Sequence, residues 1–299
     1  MSRDVNLRRL AAMIIPDGAN PFFSSLAQAF QRELTQRSIG LLVLNSDGSK
    51  AREQHNLQLA LKGDCDALIF VSVGDSRDSF LLLQNKAIPM LVLDREIPAA
   101  NADFVLADDE EGVRAALGYL HGLGHHKIGV VAGSQETQPG RTRLEAFRTY
   151  VDEQNIVVNE EWVIVGDFLF GSGALAARQL CGLPSDRRPT AMFACNDLMA
   201  IGFLRGMHEN GIRVPEEMSI VGYDDIPFAS WVYPGLTTVR QDPMEIARAG
   251  VDRLATRMEL APEDAEGLAP KSYVLRPRLI VRTSCCEVGH DVSVKEGKS

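Results

Sequence analysis

Ten residues spread along the chain have the side chains that a small hydroxyl-rich molecule needs: Asn20, Phe22, Phe23, Asp94, Arg95, Arg141, Phe168, Asn196, Asp224 and Gln241. A sugar presents hydroxyls around its ring edge and C–H groups on its faces. A site for it combines aromatic plates with amides, carboxylates and guanidinium groups at the rim. Phe22, Phe23 and Phe168 supply plates, and Asp94, Arg95, Arg141, Asn196, Asp224 and Gln241 supply the rim. Hydrogen bonds with one ionised partner are the stronger ones, at about 1.5–3 kcal/mol each. Each residue also has a plainer reading. Phe22 and Phe23 fit the core at a helix start, Asn196 or Asp197 fits a helix N-cap, Asp224 and Asp225 fit a turn, and Asp94-Arg95 fits a solvated pair. The binding reading rests on joint placement, because every one of the ten falls at or just beyond the end of a predicted strand.

The elements that place them alternate. Aliphatic runs at 10–15, 40–45, 66–73 and 88–93 read as strands, with helical stretches between them. After Asn20, Leu26, Ala29, Phe30 and Leu34 form one apolar stripe at helical spacing, while Gln31, Glu33 and Arg37 face away. The alternation restarts at 127–132 and continues through 162–166, 189–195, 218–223 and 236–242, with helices expected near 141–154, 173–182 and 197–210. Strands alternating with helices imply right-handed βαβ units and parallel sheets, and two such runs imply two sheets. An amphipathic helix carrying Met244, Ile246, Ala247, Val251 and Leu254 follows, then one alternating strand over 273–281. In open α/β sheets ligands sit outside the carboxyl ends of the strands, which is where the ten residues fall.

Competing chemistry is weakly signalled. GSGALA (171–176) fits a relaxed G-x-G-x-x-A pattern but lacks the acidic residue about 20 positions on that a dinucleotide site uses. His125 and His126 are adjacent and cannot face one metal from a helix or strand, and no CxxC, HExxH, GxSxG or Walker motif occurs. No metal, cofactor or catalytic residue is therefore expected. The 299 residues carry 31 basic and 40 acidic side chains, a formal charge of −9, without the basic footprint of a nucleic-acid surface. The apolar stretch 10–15 is too short for a signal peptide, and no segment approaches the ~18 apolar residues of a membrane span. Five cysteines, two of them adjacent, fit reduced thiols and a cytoplasmic protein better than a disulfide framework.

A set of motifs then occurs in a fixed order: IPDGANPFFSSL (15–26), LVLDRE (91–96), GHHKIGVVAG (124–133), GRTRLEAF (140–147), GDF (166–168), ACNDLMAIG (194–202), VPEEMSIVGYDDIPFA (214–229), LTTVRQD (236–242) and LIVRTSC (279–285). From about residue 8 to 286 the chain resembles the effector-binding core of the LacI/GalR family of bacterial transcription regulators and, more distantly, periplasmic ribose-binding proteins. The resemblance implies that Asn20, Phe22, Phe23, Asp94 and Arg95 belong to the ligand set of the first lobe. Arg141, Phe168, Asn196 and Asp224 would belong to that of the second, and Gln241 to the hinge. Ser72 joins the set by position, standing where ribose binders carry a longer Asn. VLADDEEGVRAAL (105–117) carries Asp109 and Val113 where the family usually shows Asp-Asn and a paired Gly.

What the resemblance implies is an α/β, two-lobed clamshell like periplasmic binding proteins, each lobe a parallel sheet flanked by helices. The expected N-terminal lobe is 8–107 plus 242–276, and the C-terminal lobe is 108–241 plus 277–286, with a flexible tail over 287–299 and an exposed acidic loop over 260–271. A small carbohydrate-like effector, or a purine, is expected between the lobes of a homodimer. Operator DNA would be reached only through an N-terminal helix-turn-helix headpiece, which these residues do not contain. The rival reading is a solute-binding protein that delivers a sugar to a transporter.

Overall fold

Short aliphatic runs covered on both faces become the strands of parallel sheets, whose members read as continuous hydrophobic segments. The computed structural model describes residues 9–63, 65–75, 77–83, 88–95, 102–260 and 268–289. It divides into two compact units. The first runs through Asp108 and includes 136–139 and Gln241–Arg276; the second comprises Asp109–Gln135, Gly140–Arg240 and the chain from Pro277 onward.

In the first unit, strands β1 (Arg9–Ile15), β2 (Ile39–Asn45), β3 (Ala67–Phe70), β4 (Met90–Leu93), β5 (Asp103–Ala107) and β11 (Ser272–Leu275) form a sheet ordered β11-β5-β4-β3-β1-β2. Every pairing in it is parallel. Helices α1 (Pro21–Thr35), α2 (Lys50–Lys62), α3 (Arg77–Leu83) and α8 (Pro243–Glu259) belong to this unit. Its core includes Ile14, Leu57, Phe70 and Val92.

The second unit repeats the wiring. Strands β6 (Ile128–Ala132), β7 (Val163–Val165), β8 (Ala191–Ala194), β9 (Ser219–Asp224), β10 (Thr237–Arg240) and β12 (Arg278–Ile280) are ordered β12-β10-β9-β8-β6-β7. All pair in parallel except β12, which runs antiparallel to β10. Helices α4 (Asp109–Gly122), α5 (Gln138–Glu153), α6 (Phe170–Cys181) and α7 (Asp197–Glu209) cover a core that includes Val130, Phe147, Phe193, Phe203 and Tyr223. Gly173 of GSGALA serves packing: a Cβ there would lie 2.0 Å from the Met199 carbonyl oxygen, so α6 and α7 approach at backbone distance.

In each sheet the chain builds one strand outward and then returns to the other side of its starting strand. This places a topological switch point between β1 and β3 in the first unit and between β6 and β8 in the second. Such points, at the carboxyl ends of the strands, are where open α/β sheets hold ligands.

Two expectations about elements are corrected. The single strand expected over 273–281 is two, β11 and β12, in different sheets, because Pro277 has a fixed φ and no N–H to continue a ladder. A strand absent from the sequence reading, β5, opens on the fully buried Asp103. The expected tail from residue 290 onward and the expected acidic loop over 261–267 lie outside the described residues.

Candidate functional site

At the carboxyl edge of the first sheet, the chain leaves β1 and reaches Asn20, the N-cap of α1. Its Oδ1 accepts from the Phe22 amide at 3.0 Å, and Pro21 occupies the first helical position. Phe22 is buried and meets the half-buried Phe23 edge to face, with ring centroids 5.4 Å apart. The helix start and the core thus take Asn20 and Phe22, and Phe23 is the more accessible plate.

Beyond β3, the Ser72 hydroxyl is buried and has no hydrogen-bond partner among the described residues. An unsatisfied buried polar group costs about 1–3 kcal/mol, so a ligand hydroxyl that meets it gains accordingly. Beyond β4, Asp94 adopts φ +69°, a left-handed conformation that Asp tolerates better than most residues. Arg95 is buried, pairs with Asp75, and lies over the Phe80 ring at 5.6 Å. Gln241 is buried directly after β10, beside Asp242, which N-caps α8 by accepting from the Met244 amide at 2.8 Å.

The sequence reading missed Glu53 in α2. Its carboxylate accepts from the Val73 amide at 2.5 Å and from the Ser79 hydroxyl at 2.6 Å, fixing the segment that carries Ser72. Burial pushes its carboxyl above the usual range, against the lowering effect of those bonds and of Arg95.

At the carboxyl edge of the second sheet, Phe168 follows β7 at φ +69°. For a bulky residue this is a strained conformation, worth about 1–3 kcal/mol, that persists only where its surroundings over-determine it. The Asn196 amide donates to the Phe168 carbonyl at 2.9 Å, and the ring lies on Gly133. A Cβ on Gly133 would fall 2.0 Å from Phe168 Cζ, so only glycine admits the plate. Asn196 is buried, and its Oδ1 accepts from the Met199 amide at 2.9 Å as the N-cap of α7. The amide is therefore committed at both ends and positions Phe168. Arg141 is exposed, with Nη1 donating to the Gln135 carbonyl at 2.9 Å.

The buried guanidinium at this edge belongs to Arg143, which the sequence reading did not single out. Its Nε donates to Asp109 Oδ1 at 2.9 Å, and Nη1 donates to the Cys195 carbonyl at 2.7 Å and stands 3.8 Å from Asp224 Oδ1. It also stacks 3.8 Å over the Tyr223 ring, whose hydroxyl donates to the same Asp109 oxygen at 2.8 Å. Burial opposes the charge on Arg143, but Asp109, Tyr223 and Asp224 outweigh it and hold the side chain protonated. Asp224 ends β9 at φ +107°. Next to it, Asp197 is fully buried, accepts from Thr238 Oγ1 at 2.5 Å and the Ile226 amide at 2.8 Å, and is pushed well above the carboxylate range by burial and by Asp224.

The signal for Arg143 lay in helical phase. It shares a face with the buried Gly140, Ala146 and Phe147 of α5, whereas Arg141, two residues earlier, points elsewhere. The arrangement suits recognition of hydroxyls and a ring face. Burial pushes the Cys195 thiol up to about 12, too high for a nucleophilic thiolate at neutral pH. Among the described residues, no group of three or more His, Cys, Asp or Glu is placed to hold a metal ion.

Comparison with known proteins supplies the ancestry. Residues 117–285 match the model of the periplasmic binding protein-like domain. The chain is 32% identical over 285 residues to the HTH-type transcriptional repressor PurR of Haemophilus influenzae (strain PittEE), covering 95% of this chain and 83% of that protein. It is 29% identical over 286 residues to the ribose operon repressor of Haemophilus influenzae (strain Rd), covering 95% and 84%. Among solved structures, a LacI family transcriptional regulator from Enterococcus faecium with bound ribose superposes with a TM-score of 0.81 at 27% identity, over 94% of this chain and all of that one. The two like-wired sheets, the residues at their switch points and these relatives together place the chain in the LacI/GalR family of transcriptional regulators.

Proposed function

We propose that this chain is the effector-sensing core of a transcriptional repressor, and that a small carbohydrate-like molecule is recognised by side chains at the carboxyl edges of the sheets. Phe23 and Phe168 serve as plates. Ser72, Asp94, Arg95, Asp224 and Gln241 take the hydroxyls with Arg141 and Arg143, while Asn20 and Asn196 shape the elements that carry them. The observation that carries this reading is Phe168, a strained aromatic held by Asn196 over a glycine at a switch point. Strain of that kind marks sites where geometry is kept for function. The bound ribose of the Enterococcus faecium regulator supports the ligand class, and a purine is the competing ligand.

The regulatory step follows from linkage: an effector bound more tightly in one conformation shifts the population toward it, with typical coupling of about 1–3 kcal/mol. The protein acts as a homodimer in the cytoplasm and reaches operator DNA through an N-terminal helix-turn-helix of the kind PurR is named for. It binds its effector without turning it over. Among the described residues no helix is long and apolar enough to cross a membrane. Thermal unfolding against pentoses, hexoses, polyols and purines tests the reading. A ligand at 100 times its Kd adds about 2.7 kcal/mol, raising Tm by a few degrees. A flat response across the panel would overturn it.

A further inference from the structure

The charges at the carboxyl edges are already answered within the protein. In the second unit, Arg143 faces two carboxylates, Asp109 at 2.9 Å and Asp224 at 3.8 Å. Arg240 and Arg282 each reach Asp225 at 2.6 Å, and Arg141 donates to a backbone carbonyl. The fully buried Asp197 adds a further carboxyl, held by a hydroxyl and an amide. In the first unit Arg95 is paired with Asp75.

A phosphate brings a charge of about −1.5 to −2 and needs bidentate guanidinium or several amide donors to replace its water. At Arg143 it would either displace the Asp109 bond to Nε or take the remaining Nη hydrogens, and in both cases a second anion would come to lie beside the buried Asp109 and Asp224 carboxylates. A neutral polyol asks for none of this. Its hydroxyls can accept from arginines that stay paired and donate to Asp94 or Asp224.

Asp109 is where this choice is made. A neutral amide at position 109 would leave Asp224, at 3.8 Å, as the carboxylate facing Arg143 and would make the guanidinium more open to an anionic ligand. Here the carboxylate takes Arg143 Nε and the Tyr223 hydroxyl together. We propose that the effector is an uncharged sugar or polyol rather than a sugar phosphate or sugar acid, and that Asp109 enforces this selection by keeping Arg143 paired.

The inference rests on the proposed sugar-sensing function, and matched ligands separate the two. Titration calorimetry of the full chain with ribose and ribose 5-phosphate, glucose and glucose 6-phosphate, and glucose and gluconate should find binding to at least one neutral member and at least tenfold weaker binding to its anionic partner. Asp109→Asn should narrow that gap tenfold or more, whereas Asp109→Glu, which keeps the charge, should preserve it. An anionic member bound as tightly as its neutral partner by the wild type overturns the ligand class while leaving the sensor intact. Binding of purines alone, or of nothing, removes the sugar-sensing reading and this inference with it. The wild-type ordering needs no variant to fold. A preference that persists in Asp109→Asn, or is lost in Asp109→Glu, takes the selection away from Asp109.

Discussion

The two edges of the second unit's sheet hold their buried polar groups in opposite ways. At the carboxyl edge, Phe168 and Asp224 occupy left-handed backbone conformations and Arg143 sits charged among Asp109, Asp224 and Tyr223. At the amino edge, the buried His125 lies between Thr190 Oγ1 at 2.9 Å, Ser219 Oγ at 3.0 Å and the Cys286 carbonyl at 3.0 Å. That cluster is uncharged, and it ties the segment after β12 to the starts of β8 and β9. One sheet thus keeps strain and buried charge at the edge proposed to meet the effector, and satisfied neutral hydrogen bonds at the opposite edge.

The largest test of the contrast is Arg143→Met. Removing one partner of a buried ion pair leaves Asp109 and Asp224 without their cation and should lower the unfolding free energy by about 3–5 kcal/mol, read from urea titrations. A loss near 1 kcal/mol would mean that the carboxyl edge is held no more tightly than a neutral cluster, and the distinction between the edges would go. Phe168→Gly tests the strain at the same edge. Glycine accepts φ +69° freely, so the fold should be unchanged or slightly more stable, while loss of the plate should weaken effector binding by about 2 kcal/mol, roughly 30-fold. Unaltered affinity would remove Phe168 from the site.

How much of this was legible in the sequence depended on range. The runs that became β1, β3, β4, β7, β8, β9 and β10 are local signals, and the candidate residues lie at or beyond their carboxyl ends, except Arg141, which lies within α5. Where the reading failed, the deciding partner was distant or the phase was ignored. Asp103 opens β5 fully buried because Arg257, 154 positions later, donates to it at 2.7 Å, and nothing near Asp103 announces that. Arg141 and Arg143 are indistinguishable by residue type, and only the positions of Ala146 and Phe147 tell which one faces inward. Pro277 was the local signal for splitting the last strand, yet the alternating pattern on both sides of it masked the break. Asp109 stood out as a departure from the family pattern, but its role needed Arg143 and Tyr223 placed against it.

The smallest expected effect belongs to the amino edge and is a dependence on pH. The Cys286 carbonyl can only accept, so His125 carries its proton on Nε2 and receives the Thr190 hydroxyl at Nδ1. Thr190 also lies 3.2 Å from the Lys127 carbonyl and could turn to it, so geometry does not bar a second proton. Burial does, with the neighbouring His126 acting in the same direction and only the Cys286 carbonyl opposing, and the pKa falls below its usual value of 6.5. The unfolded chain therefore binds the proton first. The stability contributed by neutral His125 is complete above about pH 6.5 and is lost as pH falls toward the lowered folded-state value, at a slope of at most about 1.4 kcal/mol per pH unit. Unfolding free energies measured between pH 7.5 and 5.5 should fall more steeply for the wild type than for His125→Gln, which keeps a donor and an acceptor but cannot titrate. Equal slopes would show that His125 does not set the pH response of this edge. They would also leave Arg143 and its carboxylates as the principal electrostatic difference between the two ends of the sheet.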